Sequence, residues 1–180
     1  MGVCTVAIGG IYFTNTFMLS YTTQTLGLPR TLILDCLFVV AIIQFLVQPV
    51  AAWLADAFGP SRVLITAAAC SVLAPYPMFM LVSQGTAFSI IAGISIVLVF
   101  MAAIYSAMAE YISSAFATHV RYSGISLSYQ LCGAVAGGMT PLVGTWLTYH
   151  YPGQWLPLAI FYSTLSAITL FSLWALAGHK

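Results

Sequence analysis

Residues 88–109 read FSIIAGISIVLVFMAAIYSAMA, a run of apolar and small side chains without a single charge. A helix needs about 20 predominantly apolar residues to cross the hydrocarbon core of a bilayer. The run is long enough, so it predicts a membrane-spanning helix. The whole chain has the same character, because 62% of its 180 residues are hydrophobic. We therefore expect a lipid bilayer to surround the protein.

Charged residues are correspondingly scarce. The chain has four basic and three acidic residues, which make up 4% of its length and give a net charge of +1. Soluble domains carry about 25% charged residues, so the composition excludes a soluble globular protein. Four isolated basic residues form no stripe that neutralises a run of phosphates, which excludes nucleic-acid binding.

Interruptions of the apolar sequence predict the number of helices. The uncharged stretches 63–109 and 122–179 are each long enough for two crossings. We place the cuts at 83–86 and 149–154, where Gly, Pro, polar and aromatic residues cluster as they do at a membrane interface. The prediction is an all-helical membrane protein in which residues 1–180 form one domain of six transmembrane helices. The predicted spans are 3–21, 31–54, 62–82, 88–109, 122–148 and 155–177.

Basic residues predict the orientation of these spans, because Lys and Arg near span ends accumulate on the cytoplasmic side. Arg62, Arg121 and Lys180 fall on one side of a six-span chain, and Arg30 falls alone on the other. We expect a plasma (inner) membrane protein with both termini in the cytoplasm.

Catalysis and metal binding find no support in the sequence. The acids Asp35, Asp56 and Glu110 lie in three separate places, and neither G-x-S-x-G nor H-E-x-x-H occurs. The four cysteines and three histidines lack ligand spacing. We therefore expect no enzyme activity, no metal and no cofactor, and the chain also lacks a T-V-G-Y-G selectivity filter.

The few charges collect at two loops that the prediction places on one face of the membrane. Residues 52–62 read AWLADAFGPSR, with Asp56 before Gly59 and Arg62 after it. Residues 110–124 read EYISSAFATHVRYSG. An acid and a base bracket each loop.

Glu110 and Arg121 are the charges of the second loop. Together with Asp56 and Arg62 they form a set whose pairing would hold the cytoplasmic side closed in one state and release it in another, which requires pairs worth only a few kcal/mol. The alternative is that the four residues mark topology and form solvated ion pairs worth under about 1 kcal/mol each.

Both loops resemble motifs of the major facilitator superfamily of secondary transporters, and within it of the metabolite:proton symporters. Asp56, Gly59 and Arg62 fit the superfamily's signature loop, although Ala52 stands where that loop has its first Gly. The stretch 120–131, VRYSGISLSYQL, is similar to the beginning of helix eleven in that family. So are the residues that follow it, Gly133, Gly137, Gly138 and Pro141.

The resemblance extends to the start of the chain, where 17–21 (FMLSY) and 26–30 (LGLPR) are similar to the family's helix seven and the turn after it. It implies that the six spans are helices seven to twelve, the carboxy-terminal half of a twelve-helix transporter built from two inverted three-helix repeats. The implied partner is the missing amino-terminal six-helix half. The implied function is proton-coupled symport of a small organic metabolite, either a carboxylate or a zwitterion, by alternating access.

Polar side chains inside the predicted spans are candidates for the substrate path, because they are costly in the bilayer and need a reason to be there. Uncharged amides bind carboxylate or zwitterion oxygens but cannot neutralise a full negative charge. Packing by hydrogen bonds between helices is the alternative for each of them. The candidates are Asn15, Gln44, Gln48, Tyr129 and Gln130.

Asp35 is the one acid predicted inside a span, at the external end of the second span, five residues after Arg30. It is a candidate for proton-linked function, and an interfacial ion pair is the alternative. For the chain as a whole, the alternative to a half-transporter is a six-helix membrane scaffold or small channel protein, in which the polar groups only hold helices together.

Overall fold

Residues 2–115 and 121–177 are described by the computed structural model, and their regular structure is helical throughout. Short turns join the helices. In chain order the segments are a 3-10 turn (Gly2–Cys4), α1 (Thr5–Ile11), the first π segment (Tyr12–Phe17), α2 (Met18–Gln24), α3 (Arg30–Phe58), α4 (Pro60–Leu73), α5 (Pro75–Val82), α6 (Ala87–Ala115), α7 (Arg121–Cys132), the second π segment (Gly133–Gly137), α8 (Gly138–His150) and α9 (Leu156–Ala177).

Hydropathy and length together identify the membrane-spanning candidates. Within the described ranges, four helices are long and apolar enough to cross a bilayer, and a fifth crossing results if α4 and α5, which meet at 44°, count as one. The protein is therefore an all-helical membrane protein. Residues 2–24 are helical without a break, but the first π segment divides them, and they are not among these candidates. The four are Arg30–Phe58, Ala87–Ser113, Tyr122–His150 and Leu156–Ala175.

A proline explains the 44° bend between α4 and α5, where the sequence predicted one span over 62–82. Pro75 has no N–H to donate to the Ser71 carbonyl, so the helix cannot continue straight. Hydroxyls from α9 lie beside the freed carbonyls: Ser166 Oγ is within hydrogen-bond distance of the Ser71 carbonyl (3.3 Å) as well as of the Tyr162 carbonyl (3.2 Å), and Ser163 Oγ donates to the Val72 carbonyl over 2.7 Å. Backbone groups inside a bilayer need such partners, because no water is available there.

Two helices extend beyond their predicted ends. Hydropathy places the second span at 31–54 and the fourth at 88–109, whereas α3 runs to Phe58 and α6 runs to Ala115. Hydropathy locates the edge of the lipid, but backbone hydrogen bonding continues into the interface. Asp56 and Glu110, which the sequence places in loops, consequently lie within helices.

Gly59 alone separates α3 from α4. Its φ of +90° lies in a region that L side chains rarely adopt, so glycine is required for this reversal. Pro60 follows at the first position of α4, where its missing N–H costs no hydrogen bond. The two remaining cuts of the prediction, 83–86 and 149–154, contain turns with positive-φ glycines at Gly85 and Gly153.

Helix contacts follow one pattern in the two halves of the described chain. The helical segment 2–24, which opens the first half, packs against α9 and against the helix formed by α7, the second π segment and α8. The helix α6, which opens the second half, packs against α3 and against α4 and α5. Each opening helix thus contacts the second and third helices of the other half, and α4 also contacts α9.

An aromatic cluster packs the helical segment 2–24 against α5 and α9. The Phe13 ring lies 5.3 Å from the Tyr162 ring and 6.1 Å from the Phe79 ring, centroid to centroid. Tyr21 meets Phe79 edge to face at 5.7 Å. Such pairs stabilise packing by about 0.5–1.5 kcal/mol each beyond the area they bury.

Candidate functional site

The candidate site begins with a close approach between α1 and α6. A Cβ atom added at Gly10 would lie 2.8 Å from Met101 Sδ and 3.1 Å from the Tyr162 hydroxyl oxygen. Both distances are shorter than ordinary contacts, so a larger residue at Gly10 would require the Met101 side chain on α6 and the Tyr162 side chain on α9 to shift. The contact sets Ile11, the next residue of α1, beside the same face of α6.

A cavity of about 380 Å³ opens where α1, α3 and α6 meet. Its lining combines polar and apolar side chains: Ile11, Gln44, Gln48, Met101 and Tyr105. Gln44 and Gln48 are one turn apart on α3, and Met101 and Tyr105 are one turn apart on α6, so each helix presents one face to the cavity. The volume is within the range of about 300–1,000 Å³ that is typical of small-molecule sites.

Hydrogen bonds fix one wall of this cavity. Gln48 Nε2 donates to Ser106 Oγ over 3.0 Å, and Ser106 Oγ donates to the Ala102 carbonyl over 2.8 Å. The Gln48 side chain is thereby held in place while its carbonyl oxygen stays available as an acceptor. Among the described residues, the Gln44 amide and the Tyr105 hydroxyl have no hydrogen-bond partner. These two groups therefore have unused hydrogen-bonding capacity at the cavity.

Tyr129 and Gln130 are adjacent in sequence but lie on different faces of α7. Tyr129 is half-buried and lies near Tyr105 and Cys4, which brings a second phenol close to the cavity. Gln130 is exposed. Successive residues of a helix differ in direction by about 100°, so the two cannot share a face. Tyr129 lies near the lining residue Tyr105, but neither Tyr129 nor Gln130 is among the residues that line the cavity.

Asn15 lies in the first π segment, is exposed, and is not among the residues that line the cavity. It follows Ile11 by one turn. A π segment inside an α-helix is rare and is often found at functional sites. Thr14 bonds back to the helix, because its hydroxyl donates to the Gly10 carbonyl over 2.8 Å.

The second π segment packs against the first helical segment. A Cβ atom at Gly137 would lie 2.8 Å from Tyr12, whereas one at Gly133 or Gly138 would have no atom within 4 Å. Of the three glycines noted in this part of the sequence, Gly137 therefore provides the close approach. Sequence reasoning missed both π segments and the lining residue Tyr105. The single available signal for Tyr105 was its position one turn after Met101 in an otherwise apolar run.

The charged residues proposed as gates lie at one end of the bundle. Cys36 Sγ donates to the Ala87 carbonyl over 3.8 Å near the start of α3 and α6, and Gln48 meets Ser106 further along, so the two helices run in the same direction. Asp56 and Glu110 therefore lie about 12 Å and about 6 Å beyond the Gln48–Ser106 level, at a rise of about 1.5 Å per residue.

Asp56, Arg62 and Glu110 are all exposed, and Gly59 forms the turn between the first two. Within the described part of the chain these three side chains form no ion pair. Arg121 is the first residue of α7, and its side chain, like residues 116–120 of the second loop, lies outside the described residues.

Asp35 is exposed near the start of α3 and lines an open cavity of about 500 Å³ together with Pro29, Ala87 and Ile91. This cavity is separate from the one that Gln44 and Gln48 line. No group of three or more potential metal ligands occurs among the residues that the structure describes.

Comparison with known proteins decides the family. The shikimate transporter of Escherichia coli (strain K12) is 35% identical over 153 residues, which cover 84% of this chain and 35% of the relative. The citrate-proton symporter of Klebsiella pneumoniae is 30% identical over 138 residues, 73% of this chain and 31% of the relative. The proline/betaine transporter of Escherichia coli (strain K12) is 31% identical over 147 residues, 81% of this chain and 29% of the relative.

The chain belongs to the metabolite:proton symporter family of the major facilitator superfamily. This confirms the resemblance carried by the two loops. The relatives of this major facilitator chain are named as transporters, which confirms that it is not an enzyme. A further relative, from Escherichia coli (strain K12) and 29% identical over 140 residues, is named an inner membrane metabolite transport protein. The chain spans about a third of the length of the curated relatives it matches. No family model and no solved structure matches it.

Proposed function

We propose that the chain is the carboxy-terminal half of a secondary active transporter that moves a small organic metabolite together with protons by alternating access. The cavity lined by Gln44, Gln48 and Tyr105 carries this proposal. It is the right size for a small solute, it lies between helices of a membrane bundle, and it offers unpartnered polar groups where such groups are costly. The names of the relatives, which include a citrate-proton symporter and a shikimate transporter, support the choice of solute class.

Six crossings and two inverted repeats are part of the proposal. The helical segment 2–24 would be the sixth crossing, since it is as long as a bilayer requires at about 1.5 Å per residue. The contact pattern supports the repeats, because each opening helix packs against the second and third helices of the other half. Two three-helix units related by a twofold axis in the membrane plane would produce this exchange.

The chemistry of the cavity favours a carboxylate or zwitterion bound through neutral groups. Gln44 offers an amide donor and acceptor, Tyr105 offers a phenol, and no charged side chain lines the space. Amide and phenol donors bind carboxylate oxygens without neutralising them. A cation that balances a fully anionic solute would come from the amino-terminal half.

That amino-terminal half is the proposed partner, and it would cover the exposed polar face of this chain. Asn15 and Tyr12 in the first π segment, together with Gln130 on α7, are exposed side chains on helices that flank the cavity. We expect the path for the solute to run between this face and the partner half, with the bilayer around both.

The positions of the charged residues support a gating role. Asp56 and Glu110 lie near the carboxyl ends of α3 and α6, and Arg62 and Arg121 lie at the amino ends of α4 and α7. Each charge therefore has the sign that its helix dipole disfavours, so local helix stability does not explain these residues. We infer that these residues form ion pairs with oppositely charged side chains in one of the transport states. The same basic residues support cytoplasmic termini, and Asp35 stays the candidate for proton linkage at the opposite end.

Uptake measurements test the proposal. We expect labelled shikimate, proline or citrate to accumulate in vesicles that contain this chain together with the proposed amino-terminal six-helix half, and we expect this uptake to depend on a proton gradient. Gln44→Ala should raise KM several-fold, whereas Gln154→Ala, an exposed glutamine in the turn before α9, should leave it unchanged. Equal uptake by both variants would exclude the cavity, and no uptake of any solute by the complete pair would favour a scaffold or small channel.

A further inference from the structure

A second polar cavity, of about 250 Å³, lies between α2 and α8. Its polar lining consists of hydroxyls and one amide, with no charged side chain: Ser20, Tyr21, Gln24, Thr25, Thr145, Thr148 and Tyr149. The cavity lies at the end of the bundle opposite Asp56, since Gln24 precedes the turn into α3 and Tyr149 precedes the turn into α9. Neither the sequence analysis nor the proposed transport mechanism assigns it a role.

A glycine contact closes the inner end of this cavity. A Cβ atom at Gly144 would lie 2.7 Å from the Phe17 ring, so the ring lies directly against the backbone of α8. One turn further along both helices, Tyr21 faces the same cavity as Thr145 and Thr148. The helices thus touch at Phe17 and leave room beyond it.

Tyr21 supplies an unpartnered polar group. Its side chain is only 5% exposed, and its ring packs against Phe17 and Phe79. Its hydroxyl has no hydrogen-bond partner within the described residues, yet it is not sealed from solvent as the Tyr162 hydroxyl is. Tyr21 is one of the residues that line the cavity, so a molecule bound in the cavity would supply the missing hydrogen-bond partner.

Donors and acceptors lie on opposite walls. Thr145 Oγ1 donates to the Pro141 carbonyl over 2.8 Å, and Thr148 Oγ1 donates to the Gly144 carbonyl over 2.9 Å. Their protons are in use, so both threonine oxygens can only accept a further bond. Tyr21 and Gln24 on the other wall can donate. A hydroxyl group both donates and accepts, and therefore satisfies the two walls at once.

We propose that this cavity is a second binding site, which takes the hydroxyl-bearing, uncharged part of a small organic solute. The absence of charge among its lining residues disfavours ions and leaves hydroxyl recognition as the basis of selectivity. If the proposed function holds, the site faces the outside and receives solute before the Gln44–Gln48 cavity does; the binding itself does not depend on transport.

Equilibrium binding to the purified chain in detergent micelles tests the site, with myo-inositol as a neutral polyol probe and glycine betaine as a probe without hydroxyls. We expect saturable myo-inositol binding that betaine does not displace. Tyr21→Phe and the double variant Thr145→Val/Thr148→Val should each raise Kd about threefold to tenfold, the effect of losing one hydrogen bond or two. Circular dichroism would verify that the variants keep their helices.

Thr66→Val is the matched control, because Thr66 is an exposed helical threonine that also bonds back, to the Arg62 carbonyl, but lies outside this cavity. It should bind myo-inositol like the unaltered chain. Absence of saturable binding by the unaltered chain, or equal Kd for all variants, would overturn the site. Neither result would alter the dependence of uptake on Gln44, so the failure of this inference is distinguishable from failure of the proposed function.

Discussion

Gln48 Nε2 on α3 and Ser106 Oγ on α6 lie 3.0 Å apart and form a side-chain hydrogen bond between those two helices at the cavity wall. The Ser106 oxygen is shared, since it also donates to the Ala102 carbonyl. Helix packing and the shape of the candidate site are thus coupled through a single serine.

Replacing this serine should affect the site more than the fold. In Ser106→Ala we expect the free energy of unfolding in detergent to fall by about 0.6 kcal/mol, the average for such bonds in membranes. The released Gln48 side chain should raise the KM for solute uptake severalfold. Ser113→Ala, further along the same helix, removes a hydroxyl that bonds only to the Glu110 carbonyl, and should leave KM unchanged. An unchanged KM in Ser106→Ala would contradict the role of the cavity.

The two glycines of α8 should respond differently to the same substitution. Gly144→Ala places a methyl group 2.7 Å from the Phe17 ring, and we expect it to lower the free energy of unfolding by about 1–3 kcal/mol, as overpacking does. Gly138→Ala meets no atom within 4 Å and should be neutral or slightly stabilising. Denaturation followed by circular dichroism compares them, and equal losses would show that the helices do not meet at Gly144.

The bend between α4 and α5 predicts a coupling between Ser166 and Pro75. Ser166→Ala leaves the Ser71 carbonyl without its donor and should destabilise the chain by about 1–3 kcal/mol. In a Pro75→Ala background the restored backbone N–H can serve that carbonyl, so the same change should cost less. A double-mutant cycle measures the difference, with the exposed Thr164→Ala as control. Strict additivity would contradict the account of the bend.

Asp56 should show opposite effects on stability and transport. Because its charge lies at the carboxyl end of α3, Asp56→Asn should slightly stabilise the isolated chain. It should nevertheless change the uptake rate at least twofold without reducing the amount of protein in the membrane. Asp56→Glu, which keeps the charge, should stay closer to the unaltered rate. Normal uptake by Asp56→Asn would end the gating interpretation.

Sequence alone predicted the environment of this chain better than its local geometry. Hydropathy identified the membrane-spanning character, because burial in lipid requires long uncharged runs. It misplaced the ends of α3 and α6, since helical hydrogen bonds persist past the hydrocarbon and include Asp56 and Glu110. The spacing of Gln44 and Gln48 put them on one face, as the cavity confirms.

The parts that sequence could not supply depend on contacts between distant segments. Tyr105 joins the cavity because α3 and α6 lie side by side in the same direction, and no local pattern encodes that arrangement. Gln130 and Asn15 were grouped with the cavity by residue type, but helix rotation leaves both outside its lining. The two π segments are departures from regular winding that periodicity does not reveal.

Two hydroxyls of α9 lie within hydrogen-bond distance of the carbonyls at the bend between α4 and α5: Ser166 beside Ser71, and Ser163 beside Val72. This arrangement affects whether water can enter the bundle at the bend. A carbonyl without a hydrogen-bond donor in the hydrocarbon region attracts water. A continuous row of such water molecules would conduct protons across the membrane and dissipate the proton gradient that drives a symporter. Because hydroxyls from α9 reach both oxygens, the bend does not require water to enter the bundle at these two carbonyls.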